Sequence, residues 1–410
     1  MPVTLNEIQN AATAIEGQVV RTPMRPSPSL SALTGADIWL KLENLQFTGS
    51  FKDRGALYRL MGLSEDEKRR GVVAISAGNH AQGVAHHAGR LAIPATIAMP
   101  IGTPFAKVAK TEGFGATVLQ QGRELGDLAT LADDLVERHG YTLIHPYNDP
   151  AIIAGQGTIG LEMLDSEPNI DTIIAPIGGG GLLAGIALAV KALKPDVRLI
   201  GVEAAHYPTM HHQIAGLTAP AGKPTIAEGI AVKYPGSLTK PVIEDLVDEI
   251  LLLNESELEH GVQELATTGK VVAEGAGAAA LAALLAYPDR FKGQRVALVI
   301  SGGNIDATVL ASALMRSLVR SRRLVRLRIE VSDQPGGLAQ ATKVIAEAGA
   351  NVLEVQHNRL FFDVPIKLTE IEFILETRDT DHVQRIIQAL SAEGIAARAL
   401  SDLAHSAPAD

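Results

Sequence analysis

The sequence predicts an α/β chain in which strands alternate with helices, followed by a smaller unit of order β-α-β-β-α-β. Three observations carry this. Val72 to Ile75, Ala95 to Pro100, Asp171 to Ile177, Leu199 to Val202 and Arg295 to Ile300 are short apolar runs with the length of buried strands. Several lead at once into a turn and a helical pattern, the rhythm of β-α units that builds a parallel sheet. Beyond an arginine-rich stretch, Leu324 to Val331 changes to alternation of apolar and polar residues.

The elements follow in order. Thr4-Leu5-Asn6-Glu7 is a capping box that opens a helix through Ile15. Ile38 to Leu42 predicts a strand, after which Thr48-Gly49-Ser50-Phe51-Lys52-Asp53-Arg54-Gly55-Ala56 opens a helix carrying Lys52. An ammonium at the positive end of a helix loses its proton more easily than a solvated one, and a neutral amine attacks carbonyls. Taken alone, Lys52 reads more simply as a solvated first-turn lysine. Ser76-Ala77-Gly78-Asn79-His80 joins the Val72 strand to a helix containing Ala81, Val84 and Ala88, and helix amino ends bind carboxylates. Its simpler reading is a strand-to-helix turn capped by Asn79.

Gly178-Gly179-Gly180-Gly181 links the Asp171 strand to an apolar helix, Leu182 to Val190. Four residues without Cβ let backbone N–H groups close on a phosphate, and the helix adds its dipole. Gly179-x-Gly181-x-x-Ala184, with Glu203 about twenty residues on, also satisfies the dinucleotide fingerprint. A nicotinamide oxidoreductase therefore stays open. Ala276 to Ala286 is apolar on most faces and too short to cross a bilayer, so it reads as a buried helix. The Arg295 strand ends in Ser301-Gly302-Gly303-Asn304, which places a hydroxyl at the ligand crevice of an open sheet or at a helix cap.

The alternating segment predicts a strand over Leu324 to Val331, a turn at Gln334-Pro335-Gly336-Gly337 and a helix from Leu338 to Ala348. A strand from Asn351 to Val355, a long strand from Ile366 to Thr377, a helix from Asp381 to Leu390 and a last strand from Ile395 to Leu400 complete it. With 410 residues, 46% of them apolar, the chain can bury a large core in two or three domains. A net charge of −10 argues against a nucleic-acid surface. The basic run of Arg316, Arg320, Arg322, Arg323, Arg326 and Arg328 lacks interleaved aromatics and reads as a solvated linker and strand face. The absence of cysteine excludes disulfides, thiolate nucleophiles and zinc–thiolate sites. His86-His87 and His211-His212 diverge on their helices, so no metal site is expected. No signal-like apolar core precedes the first helix, and a cytoplasmic protein without membrane partners is expected.

Gly49-Ser50-Phe51-Lys52, Ser76 to His80, Gly178 to Leu182 and Ser301 to Asn304 fall in the order and spacing of the threonine dehydratases. Over roughly residues 15 to 315 the chain resembles these pyridoxal phosphate enzymes of tryptophan-synthase-β fold. The resemblance implies that Lys52, beside Phe51, bonds the cofactor and that Asn79 meets its phenolic oxygen. Gly178, Gly179, Gly180, Gly181 and Leu182 would hold its phosphate, and Ser301 would face its ring nitrogen. Ser76, Ala77, Gly78, Asn79 and His80 would receive the substrate carboxylate. The implied reaction is β-elimination of L-threonine or L-serine, giving ammonia with 2-oxobutanoate or pyruvate, and the implied setting is isoleucine biosynthesis.

A serine would leave the ring nitrogen neutral and the electron sink modest, which suits elimination. Serine racemases, which are closely related, carry a serine where this chain has Ala77. Their cation site pairs a carboxylate equivalent to Glu203 with an acid that is Thr209 here, so no divalent metal is expected. Glu274 resembles an acidic position near the cofactor, and its role stays open.

The same resemblance implies a catalytic domain over 1–318 with a mobile subdomain inserted at about 55–147. A linker at 319–323, a ferredoxin-like domain at 324–403 and a tail at 404–410 follow. The second domain resembles the ACT regulatory domains through Asp333-Gln334-Pro335-Gly336-Gly337-Leu338. Gly336, Gly337 and Leu338 would contact an amino-acid effector, or the domain would serve oligomerisation alone. A homodimer or homotetramer is expected. Two further readings stay open: a racemase or dehydratase of another 3-hydroxy amino acid, and a non-enzymatic amino-acid sensor built on Leu324 to Leu400.

Overall fold

A computed structural model describes residues 3–123, 125–357 and 367–400. It forms two compact units, Met1–Leu310 and Ala311–Asp410. The division falls inside one helix, Ala307–Arg320, so the expected linker at 319–323 begins as the end of a helix. Arginine is a good helix former, and the helix runs through Arg316 and Arg320 before the chain turns at 321–323 into the strand Leu324–Ser332.

The first unit contains two sheets. The larger has the spatial order Met24–Pro26, Asp37–Lys41, Arg295–Val299, Thr172–Pro176, Arg198–Ala204 and Glu249–Leu253. Its first pair is antiparallel and all others are parallel. The smaller sheet is parallel throughout, in the order Thr117–Gln120, Ala95–Met99, Val72–Ile75 and Thr142–Leu143. Parallel strands need both faces covered, and the central runs are accordingly apolar and buried.

The capping box at Thr4 and Glu7 forms as expected and opens the helix Leu5–Ile15. The alanine-rich segment is the buried helix Gly275–Ala286. No helix among the described residues is long and apolar enough to cross a membrane.

The Lys52–Met61 helix packs where two helix backbones nearly touch. A Cβ on Gly155, in the helix Pro150–Ser166, would lie 2.6 Å from the Cα of Gly55. On its other side the same helix meets Gly181–Leu193, where a Cβ on Gly185 would lie 2.6 Å from the amide nitrogen of Gly157. Beneath the Lys52 helix lies a buried ion cluster. The Arg54 guanidinium donates from Nε to Glu43 Oε2 at 2.8 Å and from Nη1 to Glu162 Oε1 at 2.6 Å. Lys41 Nζ completes the set against Glu162.

The second unit is an antiparallel sheet in the order Asn351–His357, Leu368–Glu376, Leu324–Ser332 and Ala396–Leu400. Helices Gly337–Glu347 and Thr380–Ala392 give it the expected β-α-β-β-α-β order. Leu327, Ile329, Phe373, Leu375, Ile386 and Leu390 form its core. Arg328 is not a free solvated arginine: it pairs with Glu370 and Glu372 on the neighbouring strand. Ile366, expected to start the long strand, and the expected tail at 404–410 lie outside the described residues.

Candidate active site

Three adjacent parallel strands of the large sheet carry three of the expected groups. Asp37–Lys41 leads to Lys52, Arg295–Val299 to Ser301, and Thr172–Pro176 to the glycine run. Their carboxyl ends therefore present these segments side by side, at the crevice where open α/β sheets bind ligands. Two of the loops are stitched together: Phe51 N donates to the Ser301 carbonyl at 3.0 Å and Gly303 N to the Gly49 carbonyl at 2.9 Å. The hydroxyl of Ser301 is buried, 3.4 Å from the Ala276 carbonyl.

Lys52 is the first residue of its helix, as expected, with Nζ donating to the Pro146 carbonyl at 2.8 Å and lying 5.0 Å from the centre of the Phe51 ring. Desolvation lowers its pKa to about 8, against the opposing charge of Glu274. The direction matches the sequence expectation, and burial adds a cause that the sequence did not show.

The smaller sheet contributes Ser76 to His80 after the strand Val72–Ile75. Gly78 precedes the helix Asn79–Arg90, and Gly78 N donates to Ser76 Oγ at 3.1 Å. The Asn79 side chain makes no cap; its Nδ2 donates to Glu274 Oε1 at 2.6 Å. Desolvation raises the Glu274 pKa to about 7, with the Asn79 bond pulling the other way. His80 is 3% exposed, its Nε2 is 2.8 Å from the Ile144 carbonyl, and its Nδ1 has no partner among the described residues. Burial, helped by the Lys52 charge, lowers the His80 pKa to about 3, so the ring is neutral.

In the glycine run, Gly180 is left-handed at φ +95° and Gly181 opens the helix, whose first amides have no intrahelical acceptor. The ring of Tyr147 lies against the run, since a Cβ on Gly179 would meet it at 2.2 Å. Leu182 is buried. Glu203, which the nicotinamide reading needs at a ribose, is instead fully buried under the short helix Thr209–Ile214. It accepts the amides of Met210 at 2.8 Å and His211 at 2.9 Å. Its carboxylate is thereby committed to backbone donors, and the fingerprint fails at its acidic member.

Sequence reasoning missed the partners that cross the crevice. Asn304 bonds Asn79, Lys110 bonds Asn304, and Tyr147 covers the glycines. Asn304 lies in a motif that marks its segment but not its partners, and no local pattern marks Lys110 or Tyr147.

An amine biased toward neutrality, an amide donor and a row of glycines before a helix fit a phosphorylated aromatic aldehyde. Lys52 could hold its carbonyl carbon and the run Gly178 to Leu182 its phosphate. The seat is tight: a Cβ on Gly277 would meet the Gly302 carbonyl oxygen at 2.1 Å. Gly277→Ala is thus expected to displace the Ser301–Asn304 loop and weaken pyridoxal phosphate binding by about tenfold, read by titrating the cofactor-free protein.

Comparison with known proteins agrees. Residues 15–302 match the family model described as pyridoxal-phosphate dependent enzyme, and residues 320–393 match the ACT domain. An L-threonine ammonia-lyase of Thermotoga maritima is 46% identical over 398 residues, covering 97% of this chain and 99% of the relative. Among solved structures, maize serine racemase aligns with a TM-score of 0.73 at 33% identity, covering 78% of this chain and 100% of that one. The processed form of threonine deaminase isoform 2 from Solanum lycopersicum aligns at 0.72 and 32% identity, covering 76% and 87%. The chain belongs to the pyridoxal-phosphate dependent enzymes and carries a carboxyl-terminal ACT domain.

Proposed function

We propose that this protein is an L-threonine ammonia-lyase that eliminates water from L-threonine, releases ammonia and yields 2-oxobutanoate, and converts L-serine to pyruvate by the same route. The observation that carries the reading is the meeting of Lys52, Ser301 and the glycine run at neighbouring strand ends, in a chain 46% identical over nearly its whole length to an L-threonine ammonia-lyase.

Bound at these residues, pyridoxal phosphate supplies an electron sink for negative charge at the substrate Cα. Lys52 would hold the cofactor, and its amine, when free, would take the α-proton of the substrate; its buried setting favours the neutral form that this requires. Phe51 lies beside it. The amides of Gly178 to Leu182 hold the phosphate and Asn79 donates to the ring oxygen. Ser301 offers the ring nitrogen a hydroxyl rather than a carboxylate, which keeps the sink modest. Ser76, Ala77, Gly78, Asn79 and His80 receive the substrate carboxylate at a helix amino end.

Racemisation needs a second acid–base group on the opposite face of Cα, and Ala77 has none. Ala77→Ser is accordingly expected to produce D-serine from L-serine, detected by chiral chromatography, while elimination continues.

The same proposal places an amino-acid effector at Gly336, Gly337 and Leu338, and a homodimer or homotetramer in the cytoplasm that feeds isoleucine biosynthesis. The match of residues 320–393 to the ACT domain supports the effector, since the turn at Gly336 and Gly337 lies within it. Removing Ala311 onward should leave elimination but abolish any response to amino acids.

The deciding experiment follows the visible spectrum of the purified protein before and after L-threonine, with 2-oxo acid measured in the same sample. A yellow band with oxo acid is the expected result. A colourless protein after supplying pyridoxal phosphate would sink the proposal; a band without product would redirect it to another hydroxy amino acid.

A further inference from the structure

Asn304 ends the Ser301-Gly302-Gly303-Asn304 motif, and the reaction described above gives it no task. Its Nδ2 donates to the Thr48 carbonyl at 2.7 Å and to Asn79 Oδ1 at 2.8 Å, while its Oδ1 accepts from Lys110 Nζ at 2.8 Å. Asn79 in turn donates from Nδ2 to Glu274 Oε1 at 2.6 Å. Gly49 makes room for the amide, since a Cβ there would come within 2.7 Å of Asn304 Oδ1.

The chemistry of the fixed members sets the direction of the whole chain. An ammonium only donates, and a backbone carbonyl only accepts. Asn304 must therefore turn its oxygen to Lys110 and its nitrogen to Thr48 and Asn79. Asn79 must then offer its oxygen to Asn304, which leaves both of its N–H bonds for other acceptors. Glu274 takes one. The second remains for a ligand.

We propose that Asn304 and Lys110 are positioning residues that hold the Asn79 carboxamide with its N–H side free to donate to the phenolic oxygen of the cofactor. This rests on the role given to Asn79 above. The two come from different sheets: Asn304 follows the Arg295–Val299 strand, and Lys110 lies on the helix Phe105–Gly113, whose Val108 packs in the core of the smaller sheet. The same helix carries Lys107, with Nζ 2.6 Å from Glu228 Oε2, one residue before Gly229, whose carbonyl lies near Gly178. The donor at Asn79 is thus tied to the seating of that helix.

The test uses the full chain and two independent variants. In Asn304→Asp, a carboxylate of nearly the same shape cannot donate to Asn79, so the carboxamide loses the bond that orients it. The expected result is a Kd for pyridoxal phosphate raised about tenfold, by titration of the cofactor-free protein, with a displaced visible band. Lys110→Met should raise it about threefold. Lys110→Arg, which still donates, should keep the parent values. The double variant should bind no more weakly than Asn304→Asp alone, because both act through one amide. Parent-like Kd and spectrum in Asn304→Asp and Lys110→Met, or losses that multiply in the double variant, would overturn the proposal. An unmodified protein that binds no pyridoxal phosphate would overturn the reading of the site itself and the proposal with it.

Discussion

Replacing Lys52 by alanine is expected to reduce 2-oxo acid formation from L-threonine by about 10⁴-fold, the upper range for a positioned acid–base group. The amine has two tasks in the proposed reaction, holding the cofactor and moving the α-proton, and alanine removes both. The variant should also release its cofactor on gel filtration, because the glycine run and Asn79 would then retain it only by non-covalent contacts. The fold should survive: among the described residues Lys52 donates one hydrogen bond, to the Pro146 carbonyl, and forms no ion pair. Full turnover in this variant would exclude the covalent mechanism.

The largest effect on stability is expected two residues further along the same helix. Arg54 is fully buried and is shared between Glu43 and Glu162. Burial alone would raise the Glu43 pKa, but the Arg54 charge overrides it and holds the carboxyl below its ordinary range. Arg54→Leu leaves that carboxylate without its principal counter-ion. Removing one partner of a buried pair costs about 3–5 kcal/mol, to be measured by urea unfolding. An exposed pair gives the contrast. Arg69 and Asp66 retain 76% and 66% of their side-chain exposure, so Arg69→Ala should change stability by less than about 1 kcal/mol. Equal losses in the two variants would refute the assignment of the stability to the buried cluster.

The parts of this molecule legible in its sequence are those written locally. Lys52 at a helix start, four glycines between a strand and a helix, and the apolar central strands each lie within about a dozen residues. The strands that escaped notice are the outermost ones: Met24–Pro26 and Glu249–Leu253 in the large sheet, Thr117–Gln120 and Thr142–Leu143 in the small one. An edge strand is covered less completely, so it lacks the continuous buried run that marks a central parallel strand. The polar partners at the site were invisible for a different reason. Asn79 meets Glu274 across 195 positions and Asn304 across 225, and no periodicity reaches that far. The basis of the Lys52 shift was hidden in the same way, because desolvation depends on which distant residues close over the amine.

The glycine contacts on either face of the Pro150–Ser166 helix limit how this sequence can drift. Alanine is a better helix former than glycine by roughly 1 kcal/mol, so helix propensity alone would favour it at Gly55, Gly155, Gly157 and Gly185. Each added methyl would instead be driven to within 2.9 Å of a neighbouring atom. In a saturation library these four positions should tolerate almost nothing, while the exposed residues of the same helices vary freely. The reactive amine stands on a foundation whose spacing is set by bare backbone, and that spacing has no wider or narrower version for substitution to explore.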